Sequence, residues 1–107
     1  MGGRLVRSAA PYQRRGGKDR PGVQVDLLIL LKSAAYFVEV KHADRIDESI
    51  EKDLQDKMGR VSLAGAKSRR AVLVTAGEVD PRVIENGFFD AIITARELLG
   101  LDRLKGN

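Results

Sequence analysis

The chain has 107 residues, 43% hydrophobic and 32% charged, with a net charge of +4 and no cysteine. That length suffices for one hydrophobic core and is too short for two, and so large a charged and apolar share with ordinary glycine and proline counts excludes wholesale disorder. Without cysteine there is neither a disulfide framework nor a thiolate zinc site, and the mostly apolar stretch at residues 25–31 is far too short to span a membrane.

The N-terminus carries basic residues but no apolar signal core. The expectation is therefore a cytoplasmic protein with no membrane partner. Residues 1–22 form a basic arm: Arg4, Arg7, Arg14, Arg15, Lys18 and Arg20 against Asp19 give +5, which leaves −1 for the rest of the chain. Within the arm, residues 4–9 read as a short first strand and residues 11–22, rich in glycine, proline and charge, as a loop. A basic, glycine-rich segment of this kind suits a phosphate backbone, and Tyr12 within it suits base stacking. The folded domain is expected over residues 8–104.

Residues 23–31 and 35–41 read as two strands joined by a tight connection at Lys32-Ser33, pairing residue i with residue 65 minus i. A helix follows, with Ile46, Ile50, Leu54, Met58 and Val61 on one face, Asp44 or Asp47 as N-cap and Gly65 as terminator. Its other side carries Glu48, Glu51, Asp53 and Asp56, which speaks against that side lying on nucleic acid. Residues 70–75 form a strand. Asp80-Pro81 starts a brief helix that Gly87 ends, and residues 88–94 form the last strand. Thr94-Ala95-Arg96-Glu97 reads as a capping box opening a final helix through Leu98, Leu99 and Leu101. The order predicts a mixed α/β sheet with parallel crossovers in its second half. Lys67, Arg69 and Arg70 form a second basic cluster, read as a solvated turn.

The hairpin carries the chemistry. With the pairing above, Asp26 faces Glu39 and Gln24 faces Lys41, and alternation puts Gln24, Asp26, Leu28 and Leu30 on one sheet face with Phe37, Glu39 and Lys41. The opposite face carries Val25, Leu27, Ile29, Leu31, Val38 and Val40. Both faces are mostly apolar, as in a strand covered on both sides, and three ionisable groups interrupt only one of them. Two carboxylates about 5 Å apart repel each other. Either they share a proton, Lys41 neutralises one, or a divalent cation binds between them; a hard cation with oxygen ligands suits this geometry.

In these residues the chain resembles the PD-(D/E)XK nuclease superfamily, whose hairpin carries an Asp followed by a hydrophobic strand bearing Glu-x-Lys. The pattern here is Asp26, twelve residues, then Glu39-Val40-Lys41. Within that superfamily the chain is most similar to the nuclease-like C-terminal domain of prokaryotic AAA-type ATPases. There a basic, Tyr-containing loop leads into a Gln-h-Asp-h-h-h strand, matched by Gln24-Val25-Asp26-Leu27-Leu28-Ile29, and a long charged helix and a Val-Thr-ended strand follow. The likeness spans roughly residues 8–100 and departs from the group in having no Walker-type loop ending in Gly-Lys-Ser/Thr. The amphipathic helix that opens the usual core also has no counterpart, so it is expected to be absent, replaced or supplied by a partner chain.

The resemblance implies a restriction-endonuclease-like α/β fold and a metal-dependent nuclease, with nucleic acid, DNA first, as substrate. Asp26 and Glu39 are then the metal ligands, the Val40 carbonyl a third, Lys41 the catalytic lysine, and Mg²⁺ or Mn²⁺ the cofactor. Gln24 and Gln55 are helper candidates. Arg7, Tyr12, Arg14, Arg15, Lys18, Arg20 and His42 are candidate nucleic-acid contacts. A homodimer is expected to cover sheet surface left apolar by the missing helix. The alternative is a non-catalytic binding or dimerisation module of the same fold, associated with an ATPase partner.

Overall fold

The computed structural model describes residues 6–19, 22–65 and 67–94. Three strands come first: β1 (Ser8–Arg14), β2 (Val23–Leu30) and β3 (Ala34–Lys41). The two-residue β4 (Arg45–Ile46) leads into α1 (Ser49–Arg60), followed by β5 (Ser68–Thr75), the two-residue β6 (Glu78–Val79), α2 (Pro81–Asn86) and β7 (Ala91–Thr94). The main sheet runs β1-β2-β3-β5-β7, antiparallel through β3 and parallel from β3 to β7; β4 and β6 form a separate parallel pair. This is the mixed α/β sheet with parallel crossovers that the element order predicts. Among the described residues, no helix is long and apolar enough to cross a membrane.

Crossovers between parallel strands are right-handed, so two successive ones in the same direction put both helices on one side of the sheet. The core follows from that. Ile50 and Leu54 of α1, Val61 after it, and Val83 of α2 pack with Phe37, Ala71, Leu73 and Phe89. On the other face, Leu27, Ile29, Leu31, Tyr36, Val38, Val72, Val74 and Ile93 line, with Val6 and Ala91, an apolar hollow of about 510 Å³. The expected cover on both faces is thus met, among the described residues, on one.

The hairpin forms as predicted. Leu31 N–H donates to the Ala34 carbonyl at 2.8 Å across Lys32-Ser33, and Leu27, Leu28, Ile29 and Leu30 lie opposite Val38, Phe37, Tyr36 and Ala35. The expected face assignment needs correction, because β2 carries a bulge. Ala10 pairs with Leu28 and Tyr12 with Val25, so Pro11 alone faces the two residues Asp26 and Leu27. An extra residue in one strand reverses the alternation on either side of it. Val23 and Val25 therefore enter the core together with Leu28, whereas Gln24 is exposed. Pro11 fits there because β1 is an edge strand and the proline has no N–H to leave unpaired.

Other boundaries move for local reasons. The first strand is residues 8–14, since Tyr12, Gln13 and Arg14, read as loop, pair with Val25, Gln24 and Val23; residues 4 and 5 of the expected 4–9 lie outside the described residues. α1 starts three residues after Ile46, which pairs with Val79 instead. At its start Asp47 Oδ1 accepts hydrogen bonds from the Ser49 N–H at 2.9 Å and the Ser49 hydroxyl at 2.5 Å. The helix ends at Arg60 with Val61 already extended, so Gly65, at φ +74°, belongs to the loop beyond and is not the terminator. α2 has the expected caps: Asp80 accepts from Arg82 N–H at 2.9 Å, and Gly87 adopts the left-handed conformation at φ +67°. β7 is shorter than expected, since its pairing with β5 begins only at Ala91 opposite Val72; before it Phe89 is buried in the core, with Phe88 edge-to-face against it at 5.0 Å. The final helix expected from Thr94 onward lies outside the described residues.

The second basic cluster is not a solvated turn. Lys67 Nζ donates to the Leu31 and Lys32 carbonyls at 2.6 and 3.0 Å. Arg69 donates to the Val61 carbonyl at 2.7 Å and to the Met58 carbonyl, which satisfies acceptors that the end of α1 leaves open. Arg70 pairs with Asp90 at 3.4 Å.

Candidate functional site

The β2–β3 ladder stops at Leu27 opposite Val38, and the site forms where it stops. The bulge turns Asp26 out of simple alternation, and its Oδ2 accepts a hydrogen bond from the Val40 N–H at 2.8 Å. A side chain thereby replaces a strand carbonyl as the partner of that amide. A strand residue sends its N–H and C=O toward the same neighbouring strand, so the Val40 carbonyl lies on the Asp26 side of β3.

Glu39, the next residue back, points into the helix-covered face and is only 2% exposed. A carboxylate buried this deeply requires a counter-charge. Two lysines supply it: Lys57 Nζ of α1 at 3.2 Å from Oε2 and Lys41 Nζ at 3.8 Å from the same atom. Burial pushes the Glu39 pKa above its ordinary value, with the Lys57 ammonium acting against that rise, a hydrogen bond with the Asp26 side chain adding to it, and Lys41 opposing it more weakly than Lys57. The three-residue set expected from the sequence is thus brought together, with Asp26 and Lys41 half-buried around a buried Glu39.

Lys57 is the participant that sequence reasoning missed. It lies three residues beyond Leu54 on the face that α1 turns toward the sheet, where a charged residue is out of pattern. That break in the apolar stripe, opposite a strand bearing a buried acid, was its available signal.

The two helper candidates lie elsewhere. Gln24 is displaced by the bulge, and Gln55 is exposed on the outer side of α1 beside Lys52, Asp53 and Asp56. On that side of the chain Glu48 and Glu51 also bind Asn86 Nδ2, at 2.9 and 3.0 Å, and so join α1 to α2.

The candidate nucleic-acid contacts divide. Arg7, Arg15 and Lys18 are exposed, as is His42 just beyond Lys41. Arg14 is half-buried, and its Nη1 donates to the Arg60 carbonyl at 2.9 Å, fastening β1 to the end of α1. Tyr12 is half-buried, with its ring packed against the edge of the hydrophobic core. Arg20 lies outside the described residues.

Lys41, Thr75 and Thr94 are in register at the carboxyl ends of the three parallel strands. Thr75 is buried and its Oγ1 accepts from the Gly77 N–H at 3.0 Å, which fixes the turn after β5. The arrangement is an ion cluster in which Glu39 is neutralised by Lys57 and Lys41 beside the Asp26 carboxylate. No protein-family model, curated protein or solved structure matches the chain.

Proposed function

We propose that the chain is a divalent-metal-dependent nuclease of restriction-endonuclease-like fold that hydrolyses phosphodiester bonds in nucleic acid, DNA first. The observation that carries this reading is the convergence of Asp26, Glu39 and Lys41 at the open end of one hairpin, with Asp26 tied to the Val40 amide at 2.8 Å and Lys41 at 3.8 Å from Glu39. Among the described residues no three of His, Cys, Asp and Glu are placed so that together they could hold a metal ion. That donor set still fits Mg²⁺, which is commonly bound by one or two carboxylates and completes its shell with water and substrate phosphate. Asp26, Glu39 and the Val40 carbonyl would hold the ion. When bound, it would polarise the phosphate and acidify a coordinated water.

The chain's own residues supply the rest. Lys41, half-buried at the rim, would orient the attacking water and offset charge on the scissile phosphate. Arg7, Arg15 and Lys18 would hold the backbone, giving affinity without sequence choice.

A second reading is a non-catalytic module of the same fold serving an ATPase partner. The presence of two lysines on Glu39 favours it, since the buried charge is balanced without any metal. Calorimetric titration of Mg²⁺ and Mn²⁺ into wild type and Asp26→Asn, followed by plasmid and single-strand cleavage in the same samples, separates the two. Metal binding and cleavage that both vanish in the variant support the nuclease; no metal binding to wild type supports the module.

A further inference from the structure

We propose that Lys57 is a built-in counter-cation of the Asp26–Glu39 site, so that its ammonium and a divalent ion occupy the site alternately and metal enters only when Lys57 swings away. This rests on the metal-site reading above and adds a regulatory element to it. The geometry is specific. Lys57 Nζ lies 3.2 Å from Glu39 Oε2, nearer than Lys41 at 3.8 Å, and reaches the carboxylate from α1 rather than from the strand. Glu39, only 2% exposed, already carries two monovalent ammoniums on one oxygen, and a divalent ion taken up there would add twice the charge of either beside the nearer one, so the repulsion falls first on Lys57.

Lys57 has a way out. Its side chain is 31% exposed, so the ammonium can reach water by rotation of its four-carbon stem, with α1 staying packed through Ile50 and Leu54. Lys41 differs in lying on the same strand as Glu39, at the open rim, at the longer distance. The hydrogen bond from Lys57 and the hydrogen bond from Val40 N–H to Asp26 together hold the two carboxylates in place before any ion arrives.

The test is Mn²⁺ titration by calorimetry, with Mn²⁺ as the sole probe, at pH 8 on wild type, Lys57→Met, Lys57→Gln and Lys41→Met, with circular dichroism and melting curves on each. Methionine keeps an unbranched stem and removes the charge; glutamine keeps a donor to Glu39 should methionine prevent folding. The expected result is a dissociation constant for the folded Lys57 variant about tenfold or more below that of wild type, a smaller change in Lys41→Met, and loss of the gain when Asp26→Asn is added. Wild type that binds Mn²⁺ as tightly as the Lys57 variants, or more tightly, overturns the counter-cation role and leaves the metal site standing. Absence of binding in wild type and in both Lys57 variants overturns the two together.

Discussion

Lys57 Nζ and Glu39 Oε2 lie 3.2 Å apart, joining the middle of the sheet to α1 across a separation of 18 residues. Lys41, two residues from Glu39 on the same strand, is farther from it at 3.8 Å. The main partner of the buried acid is thus delivered by the helix, and the strand lysine remains at the solvent-exposed rim. This arrangement carries consequences for stability, and under the proposed nuclease function for cleavage, that can be measured separately.

The first consequence is a pH dependence. Burial raises the folded-state pKa of Glu39 above its reference value of 4.5, against the opposing pull of Lys57. A raised pKa means that the folded state holds the proton more tightly than the unfolded chain. The associated stability is fully present below about 4.5 and is lost as pH rises through the folded value. Glu39→Gln, which cannot ionise, should lack this loss. Urea midpoints of wild type and variant compared from pH 4 to 8 should converge toward the acid end and diverge above it, and parallel curves throughout would show that Glu39 is not the responsible group.

Catalysis should respond to the rim residues without loss of fold. Asp26 and Lys41 are half-buried and neither belongs to the packed apolar core, so Asp26→Ala and Lys41→Ala should each leave the fold intact and, under the proposed nuclease function, abolish plasmid cleavage. Asp26→Ala also leaves the Val40 amide without its side-chain acceptor, a loss of about 1 kcal/mol. Purified, folded variants that retain wild-type cleavage would remove both residues from the active site.

The arm residues should separate by role. Arg7, Arg15 and Lys18 are exposed, and reversing their charge should weaken binding to any DNA sequence alike and flatten its dependence on salt. Arg14→Ala should instead lower the melting temperature, because it removes the tie between β1 and the Arg60 carbonyl. Fluorescence anisotropy on unrelated duplexes across a salt series, with melting curves alongside, reads both effects.

Two substitutions away from the site probe the scaffold. Leu54 is completely buried in the helix–sheet core, so Leu54→Ala should cost about 2–5 kcal/mol in denaturant unfolding. Gly87 has open space around its Cα but a φ of +67°, and Gly87→Ala should cost about 1 kcal/mol through backbone conformation alone. A Gly87→Ala loss as large as that of Leu54→Ala would point to packing contacts at the α2 terminus.

The sequence by itself determined what depends on neighbours along the chain. The two-residue connection at Lys32-Ser33 and the apolar runs beside it set the hairpin register, and Asp80, Pro81 and Gly87 set both ends of α2, since turns and caps are made by residues only a few positions apart. Asp26, Glu39 and Lys41 could be grouped in advance for the same reason: one hairpin carries all three. The tertiary structure decided what depends on separate elements meeting. The bulge opposite Pro11 exists only because β1 pairs with β2, and it sends Val25 inward and Gln24 outward, against simple alternation. Arg14, Lys67 and Arg69 look like free surface charge until the ends of other elements bring carbonyls to them. Lys57 reaches Glu39 only because packing of Ile50 and Leu54 sets the rotation of α1 over the sheet, and that angle is a property of the assembled core that no local pattern encodes.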